Sequence, residues 1–100
     1  MTVKMTKNQT GSSLVIALEG RLDTNTAPEL EEEFRQSLNG VEDLTLDFAN
    51  LDYVSSAGLR ALLGADRVMS AKGGMKIIHV NDVVQEVFEV TGFSDILTIE

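Results

Sequence analysis

The sequence predicts an α/β fold, with a mixed, mostly parallel sheet of four to five strands and helices packed against it. Length and composition favour one domain over residues 1–100, because 100 residues with 43% hydrophobic content suffice for a single core. Strand-like and helix-like apolar patterns alternate along most of the chain. Strand–helix–strand units require crossover connections, which make the joined strands parallel, and a polar turn near the N-terminus adds an antiparallel hairpin.

The first half of the chain begins with this hairpin and continues into a helix. Thr26 and Glu29 match a capping box, in which the threonine side chain accepts from the helix and the glutamate reaches back. Asn39-Gly40 ends the helix. The predicted elements of this half are strands over residues 3–6 and 13–18, a loop over residues 20–25 and a helix from residue 26 to residue 38.

The second half repeats the alternation of strand and helix. Gly73-Gly74 ends one helix, and a second helix lies between its cap Asn81 and Gly92. The face that we expect this last helix to bury holds Val83, Val84, Val87, Phe88 and Thr91. The predicted elements of this half are a strand over residues 44–48, a short acidic loop, a helix that follows Ser56 and runs to about residue 72, a strand over residues 75–80, the last helix and a short strand over residues 96–99.

Charge and composition exclude several classes of function. The formal net charge is −8 and only eight Lys and Arg are present, whereas nucleic-acid binding needs clustered cations. The chain has no cysteine, so it holds neither a disulfide nor a thiolate metal site. It also lacks a secretory signal pattern and a segment apolar enough to span a bilayer. We therefore expect a cytoplasmic protein that does not insert into the membrane.

The most informative feature is the pair Ser55 and Ser56, which stands between a strand and an apolar helix. A helix N-terminus presents unpaired N–H groups and a dipole that favour negative charge. A hydroxyl there can cap the helix, act as a nucleophile or accept a phosphate. The small residues Ala57 and Gly58 leave room for another protein to approach it.

Catalysis by Ser56 would need a general base, and His79 is the only histidine. A nucleophile elbow has glycine two residues before the serine, where this chain has Val54. A small serine hydrolase using Ser56 and His79 therefore stays a remote alternative, and we predict no catalytic residue.

No metal or cofactor site is predicted either. Asp23, Asp47 and Asp52 can gather at one loop edge, but their spacing matches no recognised ligand pattern. Gly73-Gly74 lacks the context of a phosphate-binding loop. Loop carboxylates and a helix stop explain these residues.

The helix after the serines has a second face, on which small and basic residues share helical spacing. Arg60, Gly64, Arg67 and Ala71 lie there. This face is either solvated surface or a docking surface, because small residues permit close approach of another backbone.

The chain resembles STAS domains, and among them the bacterial anti-anti-sigma factors. The resemblance extends over nearly the whole sequence and is most specific over the segment 53–59, YVSSAGL, with weaker support from residues 18–23, LEGRLD. The family's phosphorylatable serine falls on Ser56, with Gly58 and Leu59 also matching. Ser55 stands where the family has aspartate and Ala57 where it has a hydroxyl residue, so Ser55 is the second candidate for phosphorylation.

This resemblance implies a regulatory protein, not an enzyme, that works by partner switching and needs no cofactor. Its unphosphorylated form would bind an anti-sigma factor that is also a serine kinase, and thereby release a sigma factor. Phosphorylation would end that binding, and a serine phosphatase would restore it. The alternative within the family is an unphosphorylated regulatory subunit of a membrane-transport complex. The predicted partner-binding residues are Asp23, Asn25, Tyr53, Ser55, Ser56, Ala57, Gly58, Leu59, Arg60, Gly64 and Arg67.

Overall fold

A mixed sheet with helices over one of its faces forms the framework of the protein. We describe it from a computed structural model over residues 3–100; Met1 and Thr2, which the predicted domain includes, lie outside the described residues. The strands are β1 (Lys4–Thr10), β2 (Ser13–Leu22), β3 (Asp43–Val54) and β4 (Met75–Ile78). The helices are α1 (Ala27–Ser37), α2 (Ser56–Ser70) and α3 (Asp82–Thr91), followed by a 3₁₀ turn at Phe93–Asp95.

The strand order is β1-β2-β3-β4, which confirms the predicted mixed, mostly parallel sheet. β1 pairs antiparallel with β2, while β2 with β3 and β3 with β4 are parallel pairs joined through α1 and α2. The predicted fifth strand over residues 96–99 is reduced to one parallel bridge between Ile77 and Ile99. β4 also ends at Ile78 and not at residue 80, because His79 takes a positive φ of 60° that ends extended pairing.

Alternation along the strands shows which face of the sheet the helices cover. The inward positions are buried and apolar, and they are Leu14, Ile16, Leu18, Leu44, Leu46, Phe48, Met75 and Ile77. On the opposite face Val15 is 37% exposed and Lys76 is exposed. The Phe88 ring of α3 stacks on Phe48 with centroids 6.4 Å apart, which docks α3 on the covered face.

The buried face of α3 is narrower than the sequence predicts. Val84 and Phe88 are buried, but Val83 is 57% exposed, so its assignment to the inward face was wrong. One turn of helix presents about a third of its residues to a flat sheet, and Val83 lies beside that stripe.

β2 and β3 are longer than predicted, and the acidic loop after residue 48 was wrong. Pairing continues past register shifts to Arg21 with Tyr53 and Leu22 with Val54. Leu51 and Val54 are buried, so the segment is held in the sheet by apolar side chains. The polar residues of this segment lie on exposed positions. Because the register is irregular, its apolar residues do not follow a simple two-residue period, and the sequence pattern did not predict a strand.

Gly58 packs α2 directly against the end of β2. A Cβ at Gly58 would lie 2.8 Å from Leu22 Cγ and 3.0 Å from the Leu22 carbonyl oxygen. Both distances are below ordinary contact, so only glycine lets the helix start this close to the sheet. The small size of Gly58 therefore serves internal packing. The sequence suggested instead that it makes room for a partner, and that interpretation of Gly58 was wrong.

We expect Gly58→Ala to lower the free energy of unfolding by about 1–3 kcal/mol, since the added methyl group overpacks a buried contact. Gly64→Ala is the matched control on the same helix, because nothing lies within 4 Å of its Cβ position. That control should raise stability by about 0.5–1 kcal/mol through helix propensity. Urea unfolding followed by circular dichroism measures both, and equal stability of Gly58→Ala and wild type would contradict the packing role.

Candidate functional site

The candidate site lies where β2 and β3 end side by side. The Ser55 amide donates to the Leu22 carbonyl oxygen at 2.8 Å, which extends the pairing of the two strands by one further bond. The loop after β2 and the first turn of α2 consequently leave the sheet at the same edge. Carboxyl ends of parallel strands are where α/β domains present functional groups.

Thr26 holds the loop after β2 in place. Its side chain is buried, and its hydroxyl donates to the Arg21 carbonyl oxygen and accepts from the Asp23 amide, both at 2.8 Å. The predicted capping box is therefore wrong, because the Thr26 side chain makes no cap hydrogen bond to α1. The Thr26 hydroxyl instead binds backbone groups of the loop after β2 and so closes that loop. These bonds also satisfy the hydroxyl, because a buried polar group needs hydrogen-bond partners.

Asp23 is the acceptor of the same loop. Its Oδ1 accepts from the amides of Asn25 at 3.0 Å and Thr26 at 3.1 Å. Burial raises the pKa of Asp23, but these amide bonds, a hydroxyl bond from Thr26 and the Arg21 charge outweigh burial and hold the pKa below its usual range. Asn25 is exposed beside it.

Arg21 joins the two strand ends across their exposed surface. Its guanidinium carbon lies 4.5 Å from the centroid of the Tyr53 ring, and its Nε lies 3.9 Å from Asp23 Oδ2. Arg21 belongs to the segment 18–23 that supports the family resemblance, but it is absent from the predicted partner-binding residues. The signal that identifies it is the strand register, which pairs Arg21 with Tyr53 and depends on a bulge.

The two serines have different positions and different roles. Ser55 is the N-cap of α2: it is half-buried, its Oγ accepts from the Gly58 amide at 3.4 Å, and its carbonyl accepts from Leu59 at 2.9 Å. Ser56 is the first residue of the helix and is exposed, so it is not the cap that its position before the helix suggested. Of the two serines, only Ser56 exposes its side chain to solvent. Modification of its hydroxyl would leave the cap hydrogen bond of Ser55 in place.

The other predicted partner-binding residues divide into an exposed and a buried set. Gly58 and Leu59 are buried, so we assign them to positioning the serines and not to contact with a partner. Arg60, Gly64 and Arg67 are exposed along α2. The structure thus brings together Asp23, Asn25, Tyr53, Ser55 and Ser56 at one edge and continues along α2 through Ala57, Arg60, Gly64 and Arg67.

His79 does not reach Ser56, so the two residues cannot act together as the hydrolase alternative requires. Ile78 pairs with Asp47, so His79 lies about 20 Å along β3 from Val54, at about 3.3 Å per residue. Its Nδ1 lies 2.9 Å from Asp47 Oδ1. Burial raises the pKa of Asp47, but the Ala49 amide and His79 outweigh burial and lower it. The two side chains form a hydrogen-bonded pair on the open sheet face.

The three aspartates weighed as metal ligands do not gather. Asp47 lies with His79 far from Asp23, and no group of three or more metal-ligating side chains occurs over residues 3–100. Within the same residues, no helix has the length and apolar content needed to cross a bilayer.

Comparison with protein families gives a match over almost the whole described chain. The family model described as Mlab, STAS domain, matches residues 5–98. BtrV of Bordetella bronchiseptica, a provisionally named anti-sigma factor antagonist, is 33% identical over 99 residues, which are 97% of this chain and 85% of BtrV. The anti-sigma-B factor antagonist of Staphylococcus aureus is 32% identical over 84 residues, covering 80% of this chain and 76% of that protein.

Solved structures agree with the fold at lower sequence identity. An anti-sigma factor antagonist from Mycobacterium paratuberculosis superposes with a TM-score of 0.87 at 17% identity, covering 97% of this chain and 84% of that one. The anti-sigma factor antagonist SpoIIAA in its unphosphorylated form gives 0.82 at 21% identity, with 97% and 88% covered. Its phosphorylated form, from Bacillus, gives 0.74 at 20% identity, with 97% and 91% covered. These likenesses establish the same fold.

The ionised Asp23 carboxylate should stabilise the loop in a pH-dependent way. A carboxyl whose pKa is lowered in the folded state stabilises the fold above its unfolded pKa of about 3.9, and that contribution is lost as pH falls through the folded pKa. Asp23→Asn keeps an acceptor but removes the charge. We therefore expect it to destabilise the protein more at about pH 7 than at about pH 3.

Urea unfolding of both proteins at the two pH values measures this difference. Asp52→Asn is the matched control, since Asp52 is an exposed aspartate at the same end of β3. If Asp23→Asn lowers the free energy of unfolding by the same amount at both pH values, the charge of Asp23 does not stabilise the loop.

Proposed function

The chain belongs to the STAS domain family, and on that premise we propose that it is an anti-sigma factor antagonist that phosphorylation of Ser56 switches off. Antagonists are the relatives that match it over most of its length at 32–33% identity. Such proteins are regulators, and the site holds binding and switching groups without a nucleophile–base pair. The partner of the unphosphorylated form is an anti-sigma factor.

The observation that carries the proposal is the exposed hydroxyl of Ser56 at the first residue of α2. The amides of the first helical turn and the helix dipole favour a phosphate at this position. Phosphate adds about −1.5 to −2 charges at neutral pH. The helix start therefore tolerates the modification, while a partner surface pressed against it would have to desolvate a dianion.

The surroundings of Ser56 supply a surface that a partner can cover. Tyr53 is half-buried under the Arg21 guanidinium, and Asn25 and Arg60 are exposed. Tyrosine and arginine are enriched where protein interfaces bind most strongly. We expect the anti-sigma factor, acting as a serine kinase, to contact these residues, and a serine phosphatase to reverse the modification. The protein would work in the cytoplasm, where these partners are found.

The test of this proposal is a phosphorylation assay with the purified anti-sigma factor of the same bacterium and ATP. Mass spectrometry should map one phosphate to Ser56. Ser56→Ala should abolish the phosphorylation, whereas Ser55→Ala should keep it and lose about 1 kcal/mol of stability with the helix cap. Phosphate on Ser55, or on neither serine, would overturn the assignment.

We expect Ser56→Asp to weaken binding of the same anti-sigma factor at least about 10-fold, because a charge enters the interface core. Ser56→Ala should bind like wild type. Ser70→Asp adds the same charge at an exposed position at the other end of α2 and should also bind like wild type. Calorimetric titration measures the Kd values of wild type and of the three variants.

Unimpaired binding of Ser56→Asp would contradict the switch. Failure of the wild type to bind any anti-sigma factor, together with capture of a transporter ATPase component, would favour a regulatory subunit of a transport complex.

A further inference from the structure

A groove of about 390 Å³ lies between α1 and α2 on the outer side of the helix layer. Phe34 and Leu38 line it from α1, and Ala61, Gly64 and Val68 line it from α2. Val68 is 48% exposed although it is a large apolar residue. The groove is separate from the strand-end site, and no step of the phosphorylation uses it.

Gly64 has no reason within the protein to be glycine. Nothing lies within 4 Å of the position where its Cβ would stand, in contrast to the crowded Gly58. Glycine inside a helix costs about 0.5–1 kcal/mol relative to alanine. The missing side chain at Gly64 therefore leaves this side of the groove open to solvent.

Exposed residues of α2 lead from the proposed phosphorylation site to the groove. Ser56, Arg60, Gly64 and Val68 follow each other at intervals of four, so each is next to the following one. Together they form a stripe that winds about 120° around the helix from Ser56 to Val68, because a step of four residues turns about 40°. All four are exposed. A partner segment that covers Ser56 and follows this stripe therefore reaches the groove.

Charge around this stripe is opposite in sign to that of the chain as a whole. The formal net charge is −8, yet Arg60, Arg67 and Lys72 lie on or just after α2 with one acidic residue, Asp66. The Lys72 ammonium, at the end of the groove, donates to the Leu38 carbonyl oxygen at 2.8 Å. An ammonium has three donors, so a carboxylate can still bind it.

The α1 side of the groove is acidic, because α1 carries Glu29, Glu31, Glu32 and Glu33 and only one cation, Arg35. Arg35 is held by Glu32 at 2.6 Å, so its charge is largely offset. Glu31 is the one carboxylate among the groove-lining residues. The Lys72 end is thus the positive end of the groove.

We infer that this groove receives a large apolar side chain of the anti-sigma factor, next to a partner carboxylate that binds Lys72. The inference rests on the proposed function and names the chemistry of the partner surface: an acidic segment with one projecting apolar residue. Complementary charge aligns the segment along α2, and burial of the apolar side chain supplies most of the affinity.

A substitution that fills the groove with a larger side chain of the protein itself tests the inference. Gly64→Leu places a side chain at the groove, and its Cβ meets nothing within 4 Å. We expect its Kd for the anti-sigma factor to rise about 30-fold. Ser70→Leu adds the same side chain at an exposed small residue of α2 outside the groove and should bind like wild type. Lys72→Gln should weaken binding about 3- to 10-fold and flatten its salt dependence.

The outcomes separate this inference from the proposed function. Wild-type affinity in Gly64→Leu overturns the groove inference alone, whereas absence of wild-type binding overturns the function and the inference together. Thermal unfolding checks that each variant folds. If Gly64→Leu does not fold, Val68→Asp makes the same test at an exposed side chain, and unchanged binding by that variant contradicts the inference.

Discussion

The contact between Leu22 at the end of β2 and the start of α2 determines the geometry of the whole functional edge. The Leu22 carbonyl accepts from Ser55, and its side chain fills the place that a larger residue at position 58 would occupy. This contact sets where the strand pairing stops and where the helix begins. Because Ser55 is thereby fixed as the cap, the next residue, Ser56, is directed to solvent.

The same arrangement separates the structural role of Ser55 from the regulatory role that we propose for Ser56. The Ser55 hydroxyl oxygen caps α2 by accepting from the Gly58 amide. Asp23 and Thr26 close the neighbouring loop by internal hydrogen bonds. These bonds keep the edge rigid without Ser56. A phosphate on Ser56 then changes the charge that a partner meets, with the amides of the helix start beside it, and leaves the packing intact. The proposed switch is local for this reason.

Much of the fold could be predicted from local patterns, since apolar periodicity and helix stops act within a few residues. The helix after Ser56 and its glycine stop follow from such patterns. The ends of β2 and β3 could not be predicted, because polar side chains on the exposed face of a bulged strand have the composition of a loop. The pairing that reveals Arg21 beside Tyr53 depends on that non-local register. Thr26 illustrates a local pattern that predicts the wrong contact. The sequence has a capping pattern, but the Thr26 hydroxyl donates to the Arg21 carbonyl oxygen in the loop and does not cap α1.

The direct test of a local switch at Ser56 is a comparison of amide NMR spectra with phosphoserine or serine at position 56. The phosphoserine is introduced during synthesis of the protein, so no kinase is needed. The account predicts shift changes confined to residues 21–26 and 53–60, with unchanged hydrogen-exchange protection in β3 and α2. Changes across the core, or loss of protection in α2, would contradict it, because the modification would then act by disturbing the Leu22 contact.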